Sequence, residues 1–173
     1  RASRYLGAGL TYDNGPLSLG LAGERSNRGS NSVGLNAAND ITAWALGGSY
    51  NLGVVKLAAA YKDSKAKPVV GDSAKLKAAY LGLSAPVGAA GEVKASYNRY
   101  DQRFAGGEKL KADQYALGYV HNLSKRTALY GTYAFIKNKN NDGANLGITL
   151  AGNAGLKDNG NQQALQVGVR HAF

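Results

Sequence analysis

Alternation of apolar and polar residues is the feature of this sequence that most constrains its fold. Between Tyr5 and Tyr12, apolar side chains occupy every second position, with glycine, threonine and tyrosine between them. Successive side chains of a β-strand point to opposite faces, so a period of two predicts a strand with one apolar and one polar face. The pattern returns in segments of about ten residues, the length that a tilted strand needs to cross a bilayer. The sequence therefore predicts an all-β chain that crosses a membrane with strands.

Nine such segments follow one another, separated by connections of two kinds. We predict strands over 5–12, 17–22, 43–50, 55–62, 79–85, 92–103, 111–122, 126–138 and 165–173. Tight-turn residues connect them at 13–16, 51–53, 86–91 and 122–125. Long polar segments connect them at 26–39, 64–74 and 139–161. Short turns on one side and long loops on the other are typical of outer-membrane β-barrels, whose turns are periplasmic and whose loops are extracellular.

One strand has an ambiguous orientation. Between positions 79 and 85, Leu81 and Leu83 are predicted to face outward, but Tyr80 then points inward. A β-bulge that shifted the register by one residue would reverse these directions. The sequence leaves both arrangements open.

Composition argues against a dry core. The chain has 24 glycines and no cysteine, and the positions opposite the apolar ones hold mainly small or polar residues, which suit a water-filled lumen. An open nine-stranded sheet would leave unpaired edges in lipid, and single-chain bacterial barrels usually have an even strand number. We therefore expect this chain, which begins at Arg1, to be part of a larger barrel.

The basic residues within strands predict a charge preference. The net charge is +10, and four bases occupy polar-face positions that we predict to line the pore: Lys56, Lys62, Lys94 and Arg170. The predicted polar lining is Ser96, Asn98 and Gln166. Acids lie instead at loop-side strand ends or in loops, at Asp40, Asp63, Asp72, Asp101, Glu108, Asp113, Asp142 and Asp158. Fixed cations attract anions within about 8 Å at physiological ionic strength, so we expect passive diffusion that favours small anionic solutes.

Aromatic residues near strand ends predict the membrane interfaces. We assign Tyr12, Tyr50, Tyr61, Tyr97, Tyr119 and the terminal Phe173 to a membrane girdle. His121 and His171 both occupy positions that alternate with the polar ones, so we predict that they lie on the apolar face. Both are near strand ends on the side of the short turns. That position suits an interfacial ring better than a general base or a metal ligand.

Other functions fit the sequence less well. No paired carboxylates, HExxH motif or P-loop occurs, so we predict no catalytic residues, no metal site and no cofactor. Binding of nucleic acid would require aromatic and basic residues interleaved on one face, whereas the pattern places them on opposite faces. The Asn-rich segment 137–161 is interpreted as a solvated loop rather than a calcium or sugar site. A barrel that acts mainly as an adhesin or structural anchor through its loops stays open as the alternative.

Four stretches of the chain resemble a known family. They are Tyr12-Asp13-Asn14-Gly15-Pro16-Leu17-Ser18, Ser84-Ala85-Pro86-Val87-Gly88 with Gly91-Glu92-Val93-Lys94, Gly118-Tyr119-Val120-His121-Asn122-Leu123-Ser124-Lys125-Arg126-Thr127, and Gln166-Val167-Gly168-Val169-Arg170-His171-Ala172-Phe173. Together they resemble the general porins of Gram-negative outer membranes, most closely the anion-selective type of the β-proteobacteria.

The resemblance implies a sixteen-stranded barrel that assembles as a homotrimer in the outer membrane, in contact with its lipid and lipopolysaccharide. Residues 1–173 would then be the C-terminal part of a single barrel domain, namely the last nine strands with four long loops. The N-terminal strands and the constriction loop of such a porin would lie outside this chain. Phe173 matches the terminal aromatic that the barrel-assembly machinery recognises in this family.

Overall fold

The computed structural model describes residues 4–27, 38–68, 72–104, 106–139 and 160–173. Within these ranges the strands are β1 (Arg4–Asn14), β2 (Leu17–Asn27), β3 (Ala38–Asn51), β4 (Lys56–Pro68), β5 (Ala74–Val87), β6 (Gly91–Arg103), β7 (Lys109–Asn122), β8 (Thr127–Lys139) and β9 (Gln162–His171). They form one sheet in chain order, and each strand pairs antiparallel with the next. The predicted all-β fold of nine consecutive strands is confirmed. No helix in these ranges is long and apolar enough to cross a bilayer.

The two ends of the sheet differ in their connections. At one end, which we call the turn end, the strands are joined by residues 15–16, 52–55, 88–90 and 123–126. Gly15 and Gly88 adopt φ values of 55° and 65° there, a backbone region that side chains with a Cβ rarely enter. At the opposite end, the loop end, the connecting segments are 28–37, 69–73, 104–108 and 140–161.

Strands extend further toward the loop end than the sequence predicts. Residues 64–68 belong to β4, so the predicted loop over 64–74 is wrong in its first half. Likewise β7 begins at Lys109 rather than at Lys111. The ladder of backbone hydrogen bonds needs no apolar side chains, so a strand continues into a polar segment that periodicity alone interprets as a loop.

The register resolves the ambiguous strand. Leu57 pairs with Leu83 and Ala59 with Leu81, and β5 keeps an unshifted register with both of its neighbours. Leu81 and Leu83 therefore share a face with Leu57, and Tyr80 lies on the opposite face. The Tyr80 hydroxyl lies over Gly82, where a Cβ would leave no room for it.

The sheet has two chemically distinct faces and little packed core. The apolar face carries Leu6, Leu21, Trp44, Leu57, Leu81, Leu117 and Val167 with their cross-strand partners. In the described strands, every exposed large apolar or aromatic side chain except Tyr5 and Tyr80 lies on this face. Leu6 and Val167 are 76% and 75% exposed. A continuous exposed surface of this kind requires an apolar medium or partner.

Candidate pore wall and membrane-facing surface

All four predicted pore-lining bases lie on the other face, which we call the polar face. Lys56 and Lys94 both pair with Ser84 from opposite sides, so they are two strand spacings, about 10 Å, apart. Lys62 pairs with Ala45 and Ala78, closer to the loop end. Arg170 pairs with Ala128 near the turn end of the last strand. The structure thus brings Lys56 and Lys94 together and leaves the other two bases separate.

A groove of about 390 Å³ lies along this wall. Its lining includes Lys56, Tyr80, Ser84, Lys94, Ser96 and Thr132. Small residues leave the groove open, since Gly82 and Gly118 on the same face bring no side chain into it. The predicted polar residues Asn98 and Gln166 share the face, where they pair with Gln114 and Thr132. Two cations, hydroxyl groups and free volume form a surface that suits a hydrated anion.

Lys62 lies in a second groove, of about 440 Å³, toward β1. Tyr5 and Glu24 also line this groove, and the Tyr5 hydroxyl donates a hydrogen bond of 3.0 Å to Glu24 Oε2. A carboxylate therefore shares the space around Lys62. The second groove is close to neutral in its fixed charges.

Acids on the polar face are a feature that the sequence analysis missed. Asp13, Glu24 and Glu92 have the same strand parity as the four bases. Lys94 Nζ lies 3.1 Å from Glu92 Oε2 in an exposed ion pair. The two residues are two positions apart on one strand, so their side chains point to the same face. This alternation could have predicted the pair from the sequence. Most of the positive charge of the wall near β6 is thus offset locally.

Removal of the Glu92 charge is expected to increase anion preference. In Glu92→Gln, Lys94 loses its carboxylate partner and presents a full positive charge to the groove. We expect the chloride-to-potassium permeability ratio of the complete porin to rise by roughly twofold, because an exposed pair is worth at most about 1 kcal/mol. Reversal potentials across a salt gradient would measure this ratio. Asp101→Asn, which removes an acid from the apolar face, is the control and should leave the ratio unchanged.

At its loop end the polar face includes three large aliphatic residues, whereas it was expected to hold mainly small or polar ones. Leu76 and Leu110 pair with Gln102 from opposite sides, and Ile136 pairs with Gln114. Leu110 is 3% exposed and Ile136 is 1% exposed. Leu110 and Ile136 are therefore buried on the face that was expected to be open to water, which periodicity gave no reason to expect.

The predicted girdle residues fall into two groups on the apolar face. Tyr12, Tyr50 and Tyr119 lie at the turn end. Tyr61 and Tyr97 lie toward the loop end, where ring centroids are 5.4 Å apart for Trp44 and Tyr61 and 5.2 Å apart for Tyr97 and Tyr115. Leucine and valine side chains lie between these two levels of aromatic rings, and we call this zone of the apolar face the apolar belt. Aromatic rings at both edges of such a belt match the two interfaces of a bilayer.

The turn end also holds both histidines on the apolar face. His121 Nδ1 lies 3.2 Å from the Tyr119 hydroxyl, and His171 Nδ1 lies 2.9 Å from Thr127 Oγ1. Phe173 packs edge-on against His171, with 5.0 Å between ring centroids. Each histidine thus has a polar partner at the rim, as an interfacial position requires.

Beyond the Trp44, Tyr61, Tyr97 and Tyr115 rings, the apolar face becomes charged. Arg25 and Asp40, Asp63 and Lys77, and Asp101 and Lys111 form ion pairs of 3.6, 3.9 and 3.8 Å. Many bases of the chain therefore share a face with its aromatic residues, so the predicted separation of bases and aromatics is wrong at the loop end. The predicted loop-side acids Asp142 and Asp158, with most of segment 137–161, lie outside the described residues.

Asp113 is the buried member of this charged region, with a side chain only 7% exposed. The Tyr97 hydroxyl donates a 2.9 Å hydrogen bond to Asp113 Oδ1, and Lys139 Nζ donates to Oδ2. Both carboxylate oxygens are satisfied. The cluster joins β6, β7 and β8 at the level where the apolar belt ends.

Asp113→Ala is expected to destabilise the folded protein by about 1–3 kcal/mol. The substitution removes two hydrogen bonds to a charged group and leaves the Tyr97 hydroxyl and Lys139 without this partner. Asp101→Ala removes an exposed ion pair and should cost less than about 1 kcal/mol. Urea unfolding of the complete porin in lipid vesicles would compare the two. Equal losses would contradict the structural role given to Asp113.

The sheet is antiparallel and has an apolar belt between two aromatic levels on one face. Its other face holds the groove with Lys56 and Lys94. These features define the wall of a transmembrane β-barrel. A family model described as Gram-negative porin matches residues 1–141. The chain belongs to the Gram-negative porins, a family of the bacterial outer membrane.

Individual relatives agree with this assignment. Outer membrane porin protein 32 of Delftia acidovorans is 48% identical in an alignment of 174 residues that covers 98% of this chain and 46% of that protein. An outer membrane porin protein of Bordetella pertussis is 31% identical over 194 residues, with the same two coverages. An anion-selective porin from Comamonas acidovorans superposes with a TM-score of 0.83 at 46% identity, over 98% of this chain and 49% of that chain. The chain thus spans about half the length of the relatives it matches.

Proposed function

We propose that this chain forms part of the wall of a water-filled outer-membrane channel through which small hydrophilic solutes diffuse passively, with a preference for anions. The observation that carries the proposal is the segregation of the two faces. One face exposes leucine, valine and aromatic side chains, and the other holds a groove lined by Lys56 and Lys94 together with hydroxyl-bearing and small residues. Such a sheet is suited to lipid on one side and water on the other.

The preference for anions has two supports. Lys56, Lys62, Lys94 and Arg170 lie on the polar face, and the similar porin from Comamonas acidovorans is described as anion-selective. The excess of basic over acidic residues on this part of the wall is small, because Asp13, Glu24 and Glu92 lie on the same face. We therefore propose that Lys56, whose neighbour in the groove is Lys94, contributes most of the local bias.

Completion of the barrel requires further strands. In the described sheet, β1 and β9 each have one neighbouring strand and do not pair with each other. Unpaired strand edges are costly in lipid, so we propose that N-terminal strands of the same porin close the barrel and supply a constriction loop. We further propose that the closed barrel assembles as a homotrimer.

The remaining proposed partners follow from the surface. The apolar belt contacts outer-membrane lipid, and its charged loop end contacts lipopolysaccharide. Phe173 is fully exposed beyond the end of β9, where the barrel-assembly machinery could engage it. We propose no catalytic activity, cofactor or nucleic-acid partner, since the histidines lie at the membrane-facing rim and the family is one of channels.

Planar bilayer recordings test the proposal directly. The complete porin should give ohmic channels whose reversal potential in a salt gradient has the sign of anion preference. An absence of conductance from folded trimers would instead support the adhesin or anchor alternative. Channels with a cation preference would leave the porin function intact and remove the anion proposal.

A further inference from the structure

A tyrosine ring lies across the backbone in the groove of the polar face. The Tyr80 side chain extends along β5 and covers Gly82, where a Cβ would overlap its hydroxyl and its Cζ. One face of the ring therefore covers the glycine, and the other is open to the groove, with 37% of the residue exposed. Gly82 does not adopt a positive φ, so glycine is needed there for the close approach of the ring rather than for its backbone conformation.

The residues beside the ring are small. Ala58 and Ser96 pair with Gly82 from opposite sides, and Ala116 pairs with Ser96. Side chains of this length do not cover the open face of the ring. The groove of about 390 Å³ is within the range of about 300–1,000 Å³ that is usual for small-molecule sites. The Tyr80 ring is therefore available as a flat platform for a ligand.

The two lysines of the groove lie next to this platform. Lys56 and Lys94 both pair with Ser84, which lies two residues beyond Gly82 toward the turn end, a distance of about 7 Å along the strand. Glu92 forms an ion pair with Lys94, but no carboxylate in the described part of the chain forms one with Lys56. The described lining of the groove contains no acid. A cation thus lies about one small-molecule length from the ring.

The combination of ring and cation selects one kind of ligand. Aromatic rings stack on one another in offset or edge-on arrangements and gain affinity beyond the area that they bury. A lysine ammonium group is a compact charge that attracts a carboxylate. A hydrophilic anion such as chloride would use the lysines alone and leave Tyr80, Ala58 and Ala116 without a role. A planar aromatic ring that carries a carboxylate uses both parts of the groove.

We infer that the groove is a binding site for aromatic carboxylates, with the ligand ring stacked on Tyr80 and its carboxylate at Lys56. The inference rests on the proposed function, because the ligand must enter the lumen to reach the polar face. It adds a class of solute and assigns the selection of that class to Tyr80. Lys56 supplies attraction that every small anion shares, and the ring supplies the difference between them.

The test measures binding to the complete porin in detergent micelles by saturation-transfer NMR. The probes are benzoate, cyclohexanecarboxylate and acetate, which carry the same charge, and only benzoate is aromatic. Benzoate should bind most tightly. In Tyr80→Leu its affinity should fall by about fivefold, because stacking of two rings is worth roughly two- to tenfold. Tyr80→Phe keeps the ring and should bind benzoate within about twofold of the parent.

Two further variants separate the ring from the charge. In Gly82→Ala the new Cβ displaces the flexible end of the Tyr80 side chain from the wall, so benzoate binding should fall as in Tyr80→Leu although the tyrosine is retained. In Lys56→Gln the binding of all three probes should fall by a similar factor. Loss of benzoate binding alone therefore identifies the ring, and a common loss identifies the cation.

Tyr5 provides the matched control on the same face. Its phenol also approaches a glycine, Gly7, but its hydroxyl donates a hydrogen bond to Glu24, whose carboxylate repels anions. Tyr5→Leu should leave the affinity for all three probes unchanged. Heat-dependent migration on gels checks that every variant is folded.

Three results would overturn the inference: equal affinities of the parent for benzoate and cyclohexanecarboxylate, unchanged benzoate binding by folded Tyr80→Leu, or an equal loss in Tyr5→Leu. Conductance of the same preparations in planar bilayers separates the two proposals. Chloride-conducting channels without ring-dependent binding would refute only the aromatic carboxylate site. Ring-dependent binding without channels would refute only the transport function.

Discussion

Arginine in place of Leu117 is expected to destabilise the folded barrel by about 2–4 kcal/mol and to reduce its insertion into bilayers. Leu117 lies on the apolar face of β7, where it is 58% exposed, and it is flanked on that face by Tyr115 and Tyr119. The side chain therefore lies between the two aromatic levels, in the middle of the apolar belt. A lipid-facing arginine near the bilayer midplane costs about this much.

The neighbouring residue provides the matched control. Ala116 lies on the polar face, lines the groove and pairs with Ser96 and Ala134. Arginine there should cost less than about 1 kcal/mol, since its guanidinium reaches the water of the lumen. It should also lower conductance and increase anion preference.

Urea titration of both variants in lipid vesicles gives the free energies of unfolding. Arginine is the substituent in both variants, and the positions are adjacent on one strand, so the introduced side chain and the chain position are matched. The face and the residue that is replaced differ. A larger loss at Ala116 than at Leu117 would mean that the two faces have been assigned the wrong way round, and the transport proposal would fail with that assignment.

Charge reversal at the groove is expected to have the largest effect on selectivity. In Lys56→Glu, Lys94→Glu, the wall that held two cations and Glu92 holds three carboxylates. A unit charge about 4 Å from a permeating ion is worth roughly 1 kcal/mol in water, which corresponds to about a fivefold change in local concentration. We expect the chloride-to-potassium permeability ratio to fall by about fivefold or more.

Salt dependence distinguishes this effect from a change in pore shape. The Debye length falls from about 10 Å at 0.1 M to about 3 Å at 1 M, so the difference between variant and parent should shrink strongly at high salt. Lys75→Glu, Arg103→Glu, on the opposite face of the sheet, is the control with the same change of net charge. An equal shift of the reversal potential in the control would show that the effect comes from the net charge of the protein rather than from the groove.

Strand faces were largely predictable because the alternation of side chains is a local property of an extended chain. The four predicted bases lie on one face, and the predicted tyrosines lie on the other. Glu92 was predictable by the same parity and was missed, because the acids were considered only at the loop side. Leu81 and Leu83 were predicted to face outward, and the register confirms this arrangement, with Tyr80 on the opposite face. The alternative stayed open until then, because a shift of one residue reverses a strand and the sequence contains no signal that excludes a bulge.

Features that depend on cross-strand alignment could not be predicted from periodicity. Lys65, Lys75, Arg103 and Lys109 are far apart in the chain, and they form a row only because the register of β4 to β7 aligns them. The buried carboxylate of Asp113 likewise needs Tyr97 and Lys139 from two neighbouring strands. Ile136 is buried although it lies on the polar face, where the composition predicted a water-filled lumen rather than a packed core.

By itself, the sequence determined the number of strands, their order and the two chemistries of their faces, because each follows from side chains that alternate along a single extended segment. Only the tertiary structure decided how far the strands extend, which charges lie opposite one another and which polar-face positions become buried. Those outcomes depend on hydrogen-bonded register between segments, and a local pattern does not contain the alignment of one strand with the next.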